Sequence, residues 1–455
     1  MSEALPQTRN AWHRRVWSLA WPVVLANLTI PLVGAVDTAV MGRLPDAAYM
    51  GAVAVGAAVF NALYWIFGFL RMGTTGLAAQ AHGARDPDEL LAVVLRAAGI
   101  ALVLGGALVA AHLPVLKLAL AVFPASDQVE TLAGDYFRLR IWGAPALLTH
   151  FVVLGALFGL QRMGTALLVS VILNVSNVIL DYVLVMVCGW GVEGVAAGTV
   201  ISEWTAAMAG AALLARILRR TGTRRLPRGA LLHRERLLAL FGVSANLIVR
   251  SFFVQLPFFT FTVLGSGLGD TILAANAALM QLFFFMAYGL DSLAHTAETL
   301  AGHAFGARDR PRLRAAAGYT LLWSVLLALG IAATYAVAGP LLIDLLTELP
   351  EVRETAREYL PWLVLAPLAA VGAFHLDGVF IGTTRTVALR NSMFVAALAY
   401  LLTVWLGLGQ LGNHGLWLAM MVFMVVRTGL LAALYPRLER LAGPQRPAPA
   451  TTSPR

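Results

Sequence analysis

Residues 83–86 read Gly-Ala-Arg-Asp, and residues 306–309 read Gly-Ala-Arg-Asp again. Each copy closes one long apolar run and precedes another. Their spacing, 306 − 83 = 223, also carries Tyr136 to Tyr359, Gly159 to Gly382 and Arg162 to Arg385. Four matches at one spacing define an internal repeat. Reading apolar runs between polar or Gly/Pro breaks gives helices near 16–42, 51–72, 90–113, 137–160, 164–187 and 192–217. A second set follows near 236–264, 272–302, 313–336, 358–382, 388–410 and 413–435. The expected fold is therefore an all-α integral membrane protein with about 12 transmembrane helices in two homologous six-helix lobes around a central cavity. An even number of spans per copy makes the repeat parallel, related by an axis along the membrane normal. The expected division is 1–218 for the first lobe, 219–235 for a basic interlobe loop that acts as a hinge between the lobes, 236–440 for the second lobe and 441–455 for a disordered tail.

Composition agrees with lipid as the solvent. The 455 residues are 59% hydrophobic and only 13% charged, with a mean hydropathy of +0.77, which excludes an ordinary water-soluble domain. The formal charge of +9 is spread between apolar runs rather than over one basic face, so no nucleic-acid partner is expected. Arginine marks the N-terminus and every second loop: Arg85, Arg162, the run from Arg216 to Arg228, then Arg308, Arg310, Arg312, Arg314, and Arg385. The alternate loops carry Asp46, then Asp127, Glu130 and Asp135, and later Asp344, Glu348, Glu351, Glu354 and Glu358. The positive-inside rule makes the arginine loops and both termini cytoplasmic. A single cysteine, Cys188, excludes an intrachain disulfide and argues against a cysteine metal site. The basic start resembles a signal peptide, but the apolar stretch from Val16 to Met41 is too long for a cleaved one and reads as a retained helix.

Several segments in order resemble the multidrug and toxic compound extrusion (MATE) family and, within it, the DinF branch. They are PLVGAVDTAVMGRL at 31–44, NVSNVILDYVLV at 174–185, GVEGVAAGTVISEW at 191–204, GLDSLAHTAETLAGHAFGARD at 289–309 and HLDGVFIGTTRT at 375–386. The resemblance covers almost the whole chain. It implies a two-lobed, multi-pass antiporter of the bacterial cytoplasmic membrane, expected as a monomer, that expels amphipathic and often cationic small molecules against an inward flow of protons or Na+. It also implies that the first lobe carries the ion site, at Asp37, Asn177, Asp181 and Thr199. No cofactor and no metal other than transported Na+, at Asp37 and Asp181, is expected.

The residues themselves point to the same set. A carboxylate at bilayer depth is costly unless solvated, paired or protonated, so each is a functional candidate. Asp37, Asp181 and Thr199 lie about five, six and seven residues inside the outer ends of their helices, roughly 8 to 11 Å deep at 1.5 Å per residue. Asn174, Asn177 and Asp181 follow i, i+3, i+7 and share one helix face, where two amides and a carboxylate make an oxygen-rich wall suited to a proton or Na+. The alternative is that these groups only hold helices together. Pro22 and Pro31 would let the first helix bend as Asp37 changes state, or would set a static kink. Glu203 extends the polar path one turn inward or pairs with an amide or arginine. In the second half Asp291, Asp377 and Glu298 either line another cavity or pair with loop arginines, while Gln255 stands where some relatives carry an acid. His295, His303 and His375 read as interfacial or packing residues, and the cluster from Phe283 to Met286 as lipid-facing packing or a substrate wall.

Three rival readings remain. A flippase for a lipid-linked precursor would need a cationic cavity, whereas arginine here reads as concentrated in loops. An intramembrane enzyme would need a nucleophile with a base or a metal cluster, and no HExxH, GxSxG or DDxxD is present. A passive channel would differ from a coupled carrier in failing to move solute against its gradient.

Overall fold

The computed structural model describes residues 6–41, 47–122, 126–222 and 233–443, without the side chains of 28–41, 47 and 122. The described residues are helical almost throughout. The first half comprises α1 (Arg9–Met41), α2 (Ala47–Ile66), α3 (Phe69–Gly83), α4 (Pro87–Ala110), α5 (His112–Val122), α6 (Asp127–Arg140), α7 (Ala144–Gly159), α8 (Met163–Asp181) and α9 (Gly191–Arg220). The second comprises α10 (Arg234–Ser266), α11 (Asp270–Gly306), α12 (Arg310–Leu346), α13 (Pro350–Gly382), α14 (Thr386–Leu411) and α15 (Asn413–Leu441). Eleven helical runs among the described residues are long and apolar enough to cross a membrane, and α1, 33 residues long, precedes them.

The expected spans match these runs, with four differences. The acidic stretch from Asp344 to Glu358, read as a loop, is helical on both sides of residues 347–349, α12 carrying Asp344 and α13 carrying Glu351, Glu354 and Glu358. The second span breaks at Phe67–Gly68 into α2 and α3. The short α5 had no counterpart in the apolar reading. The acidic stretch from Asp127 to Asp135, read as a loop, is helical as α6, because Ser126 caps its first turn by accepting from the Val129 amide. A 3₁₀ turn at Ile141–Gly143 then joins α6 to α7.

The repeated Gly-Ala-Arg-Asp is a helix stop and a helix start in four residues. Arg85 and Arg308 take left-handed backbone angles, φ 57° and 52°. The Asp86 amide reaches back to Ala81 O at 3.0 Å, and the Asp309 amide to Ala304 O at 3.0 Å, closing each helix in a Schellman turn. The same aspartates then cap the next helix, accepting from the amides of Glu89 at 2.9 Å and Arg312 at 3.0 Å, with proline in the first turn of each. A second pair of left-handed residues, Gln161 (φ 58°) and Thr384 (φ 53°), again differs by 384 − 161 = 223.

Helix packing repeats as well. Contacts of α3 with α7, α4 with α7, α8 with α9 and α1 with α8 have counterparts in α11 with α13, α12 with α13, α14 with α15 and α10 with α14. Between the halves, α3 and α11 cross so closely that a methyl on Gly83 would overlap the His303 carbonyl, and one on Gly306 would overlap the Gln80 carbonyl. Small residues allow such backbone approach between membrane helices. Around the crossing, Gln80 Nε2 donates to Gly382 O and Thr384 Oγ1, both at 3.0 Å, and Thr299 Oγ1 donates to Phe158 O at 3.1 Å. Asn27 Nδ2 donates to Tyr288 O and Ser292 Oγ at 3.1 Å, and Arg236 pairs with Glu89. The halves are thus sealed at the end that carries the arginine loops. Trp12 stacks on Tyr319, and Glu439 holds Arg310 and Arg314, so both ends of the helical chain lie at that same end.

Gly83→Ala and Gly306→Ala should each cost about 1–3 kcal/mol of stability through overpacking. Gly99→Ala, with open space around it, should be neutral or slightly stabilising. Thermal unfolding of the purified protein in detergent separates the two cases.

Candidate functional site

On α8, Asn177 lies one turn before Asp181, so its amide can reach the carboxylate without leaving the helix face. Asn177 Nδ2 donates to Asp181 Oδ2 at 2.9 Å and to Thr199 Oγ1, on α9, at 3.3 Å. The Thr199 hydroxyl donates to Val195 O at 2.8 Å, which leaves its oxygen free to accept from the amide. Asp181 is completely buried, Asn177 is buried, and Asn174 is half-buried one turn earlier. Asp181 fits there because α9 presents Gly198, where any side chain would overlap its Oδ1. At Asp181 the α-helix gives way to a π-helical turn over Tyr182–Val187, with Cys188 N bonded to Val183 O at 2.9 Å. Such widened turns accompany functional sites more often than chance, and the sequence carried no signal for this one.

The structure thus brings Asn177, Asp181 and Thr199 together. The backbone of α1, which carries Asp37, packs along α8 and touches the π turn. The side chains of Asp37 and Pro31 lie outside the described residues. Pro22 is half-buried, and α1 runs as one helix through both prolines.

Of the two readings of Glu203, the structure shows the pairing with an arginine. Arg140, at the end of α6, grips it with both terminal nitrogens, Nη1 to Oε2 at 2.8 Å and Nη2 to Oε1 at 2.5 Å. The guanidinium also lies over the rings of Phe60, 5.0 Å away, and Tyr64, 5.5 Å away. Gly143 leaves room for the pair. Both groups are buried, so the pair ties α6 to α9.

The second-half acids are paired too, Asp377 and Glu298 with arginines inside the helices rather than with the loop arginines, and Asp291 with His295. Asp377 on α13 is held by Arg250 of α10 and Arg427 of α15, all three buried. Arg427 also lies over Phe374. On α11, His295 bridges Asp291 at 3.1 Å and Glu298 at 3.2 Å, and Arg71 of α3 approaches Glu298 at 3.8 Å across the boundary between the halves. His295 is therefore part of a charged network and not a packing residue. His303 stacks on His82, and His375 is buried. Phe283 and Met286 are buried, whereas Phe284 and Phe285 face outward, so the aromatic run divides between core and surface.

Arginine is concentrated in the loops as expected, but these pairs add four inside the helices. Arg71, Arg140, Arg250 and Arg427 each fall inside an apolar run of the sequence, and for Arg250 and Arg427, alone among apolar neighbours, that placement is itself a signal. Each faces a carboxylate, so they do not build the uncompensated cationic cavity that a diphosphate would need.

With this geometry in hand, comparison with known proteins is decisive. The MatE family model matches residues 22–183 and again 247–408, once per repeat. The chain belongs to the MatE family. It is 39% identical to DNA damage-inducible protein F of Escherichia coli (strain K12) over 427 residues, covering 93% of this chain and 92% of that one. It is 24% identical to a probable multidrug resistance protein NorM of Acinetobacter baylyi, covering 94% and 97%. Among solved structures, one described as the outward-facing conformation of a multidrug resistance MATE family transporter of the MOP superfamily superposes with a TM-score of 0.84. Its sequence is 20% identical, over 94% of this chain and 96% of that one. MatE proteins are multi-pass secondary transporters of small molecules, not enzymes, and this settles the class of this chain.

Removing Glu203 alone, as in Glu203→Ala, should cost about 3–5 kcal/mol because Arg140 is left buried without its counter-charge. The double substitution Arg140→Leu/Glu203→Leu should recover most of the loss. Thermal unfolding of the three proteins checks both.

Proposed function

We propose that the chain is an ion-coupled antiporter exporting amphipathic, often cationic, small molecules across the bacterial cytoplasmic membrane by alternating access. The coupling site is Asp37, Asn177, Asp181 and Thr199, and the coupling ion is a proton or Na+. The observation that carries this reading is the buried carboxylate of Asp181 served by the amide of Asn177. An amide offers both a donor and an acceptor, so by turning over it can serve the carboxylate and equally the protonated acid. A guanidinium only donates, so the arginine-held Glu203 and Asp377 favour one charge state. Protonation at Asp181 would remove a charge from the cavity and release a bound cation, with Pro22 and Pro31 allowing α1 to bend as Asp37 follows. The same oxygens would serve Na+.

The remaining parts follow from the repeat. Residues 1–218 and 236–440 act as two lobes that rock about the basic stretch 219–235, with 441–455 as a tail. The arginine loops and both termini are cytoplasmic, which makes the sealed end the inner one and the described state closed to the cytoplasm. The protein works as a monomer, without a cofactor. The name of the NorM relative, a probable multidrug resistance protein, and the printed description of the outward-facing structure support drug-like substrates.

The test is efflux of a fluorescent cationic dye from proteoliposomes under an imposed pH or Na+ gradient. Wild type should move dye against its gradient, while Asp37→Asn and Asp181→Asn should reduce gradient-driven efflux to background with folding intact. Whichever gradient drives the wild type identifies the ion. Undiminished transport in both variants would move coupling to the second half, and downhill movement only would mean a channel.

A further inference from the structure

At the sealed end, the first half holds a cleft of about 540 Å³ between α1, α3, α4, α8 and α9. Its charged lining is Arg15, Arg85, Arg162 and Arg220, with His82 and a single carboxylate, Asp86. Asp86 is already engaged as the cap of α4, and Arg15 donates to Gln161. Among the described residues, no salt bridge to Arg85, Arg162 or Arg220 is found. Arg85, Arg162 and Arg220 around one concave space repel each other unless an anion enters, and the fork geometry of guanidiniums suits the oxygens of a phosphate.

The repeat shows that the fold alone does not require this charge. At the spacing of 223, Arg85 and Arg162 recur as Arg308 and Arg385. However, 15 + 223 = 238 and 220 + 223 = 443 fall on Leu238 and Gly443, and His82 becomes Phe305. In the second half Arg385 lies over the Phe305 ring, and Glu439 neutralises Arg310 and Arg314. The arginine cluster belongs to the first half only.

A second hollow adjoins the cleft. The same helices α4 and α9 that flank the arginines continue into a groove of about 370 Å³ floored by α7, lined by Leu91, Val94, Ala98, Val153, Leu214 and Ala215 and ending at Arg219. Leu90 lines the cleft and Leu91 the groove, and Leu218 and Arg219 line the groove where Arg220 lines the cleft. A polar basic pocket running into an apolar groove has the two-part chemistry of a lipid, and basic pockets between membrane helices take anionic headgroups.

We propose that the first half binds an anionic phospholipid, with its phosphate among Arg15, Arg85, Arg162 and Arg220 and one acyl chain in the groove between α4 and α9. The site is independent of the coupling site and would make the sealed state sensitive to the charge of the surrounding leaflet. The test uses the full chain in nanodiscs of phosphatidylcholine with and without phosphatidylglycerol. Bound lipid is read by native mass spectrometry and stability by thermal unfolding. Wild type should retain phosphatidylglycerol selectively and unfold at higher temperature in its presence. Arg85→Asn/Arg162→Gln/Arg220→Gln should retain it roughly 100-fold less well, three surface charges together; asparagine at 85 tolerates the left-handed backbone. Ala215→Trp, which fills the groove at an exposed position and leaves every arginine in place, should also release the lipid while unfolding as wild type does in phosphatidylcholine alone. Retention in both variants would overturn the proposal. Equal protection of wild type by inorganic phosphate or pyrophosphate, unaffected by Ala215→Trp, would assign the cleft to a free phosphate and overturn it as well.

Discussion

The bundle depends on two helix backbones touching without side chains between them. Where α3 meets α11, each helix presents glycine to a carbonyl of the other, Gly83 to His303 and Gly306 to Gln80, and 303 − 80 is the same 223 that separates the glycines. The contact is therefore made twice by one symmetric rule. In lipid, apolar side chains gain little by leaving their surroundings, so close backbone packing supplies much of the attraction between helices. A contact of this kind is also directional: it exists in full at one separation and is lost when the helices part.

The charges inside the membrane follow a second rule. Glu203, Asp377 and Glu298 each face a guanidinium, and the partners come from different helices or, for Arg71 and Glu298, from different halves. Replacing such pairs with apolar residues of similar size is often neutral for stability, but breaking one is costly. Their contribution is to fix which helices stay together: α6 with α9, and α10, α13 and α15 around Asp377. The Arg71 contact differs because it joins α3 of the first half to α11 of the second.

Most of the architecture was legible in the sequence because a membrane chain has few options. Backbone groups in lipid must be satisfied within helices, so apolar runs map directly onto spans, and the Gly-Ala-Arg-Asp repeat fixed the relation of the halves. Asn177, Asp181 and Thr199 were found by depth and spacing, since one helix turn dictates which groups can meet. What escaped was tertiary. Nothing local in Phe137-Arg138-Leu139-Arg140 says that Arg140 turns inward to Glu203 while Arg138 stays with Asp135 at the surface. The π turn after Asp181 and the break at Phe67–Gly68 depend on how neighbouring helices pack, for which a run of valines and leucines carries no code. His295 looked like packing because its partners Asp291 and Glu298 were assigned to other roles.

The repeat also sets the two halves' buried carboxylates side by side for comparison. Both halves inherit the same scaffold and both bury carboxylates, yet they equip them differently. In the second half Asp377 is surrounded by two guanidiniums, and an arginine stays charged at any physiological pH, so a proton arriving there would have to displace an established ion pair. In the first half the amide beside Asp181 bonds to the carboxylate as donor and can bond to the acid as acceptor, so loading and unloading exchange one hydrogen bond for another. The adjoining π turn widens the backbone ladder of the helix that carries Asp181. The second half thus holds Asp377 in ion pairs that favour one charge state, whereas the first serves Asp181 with an amide that can bond to either.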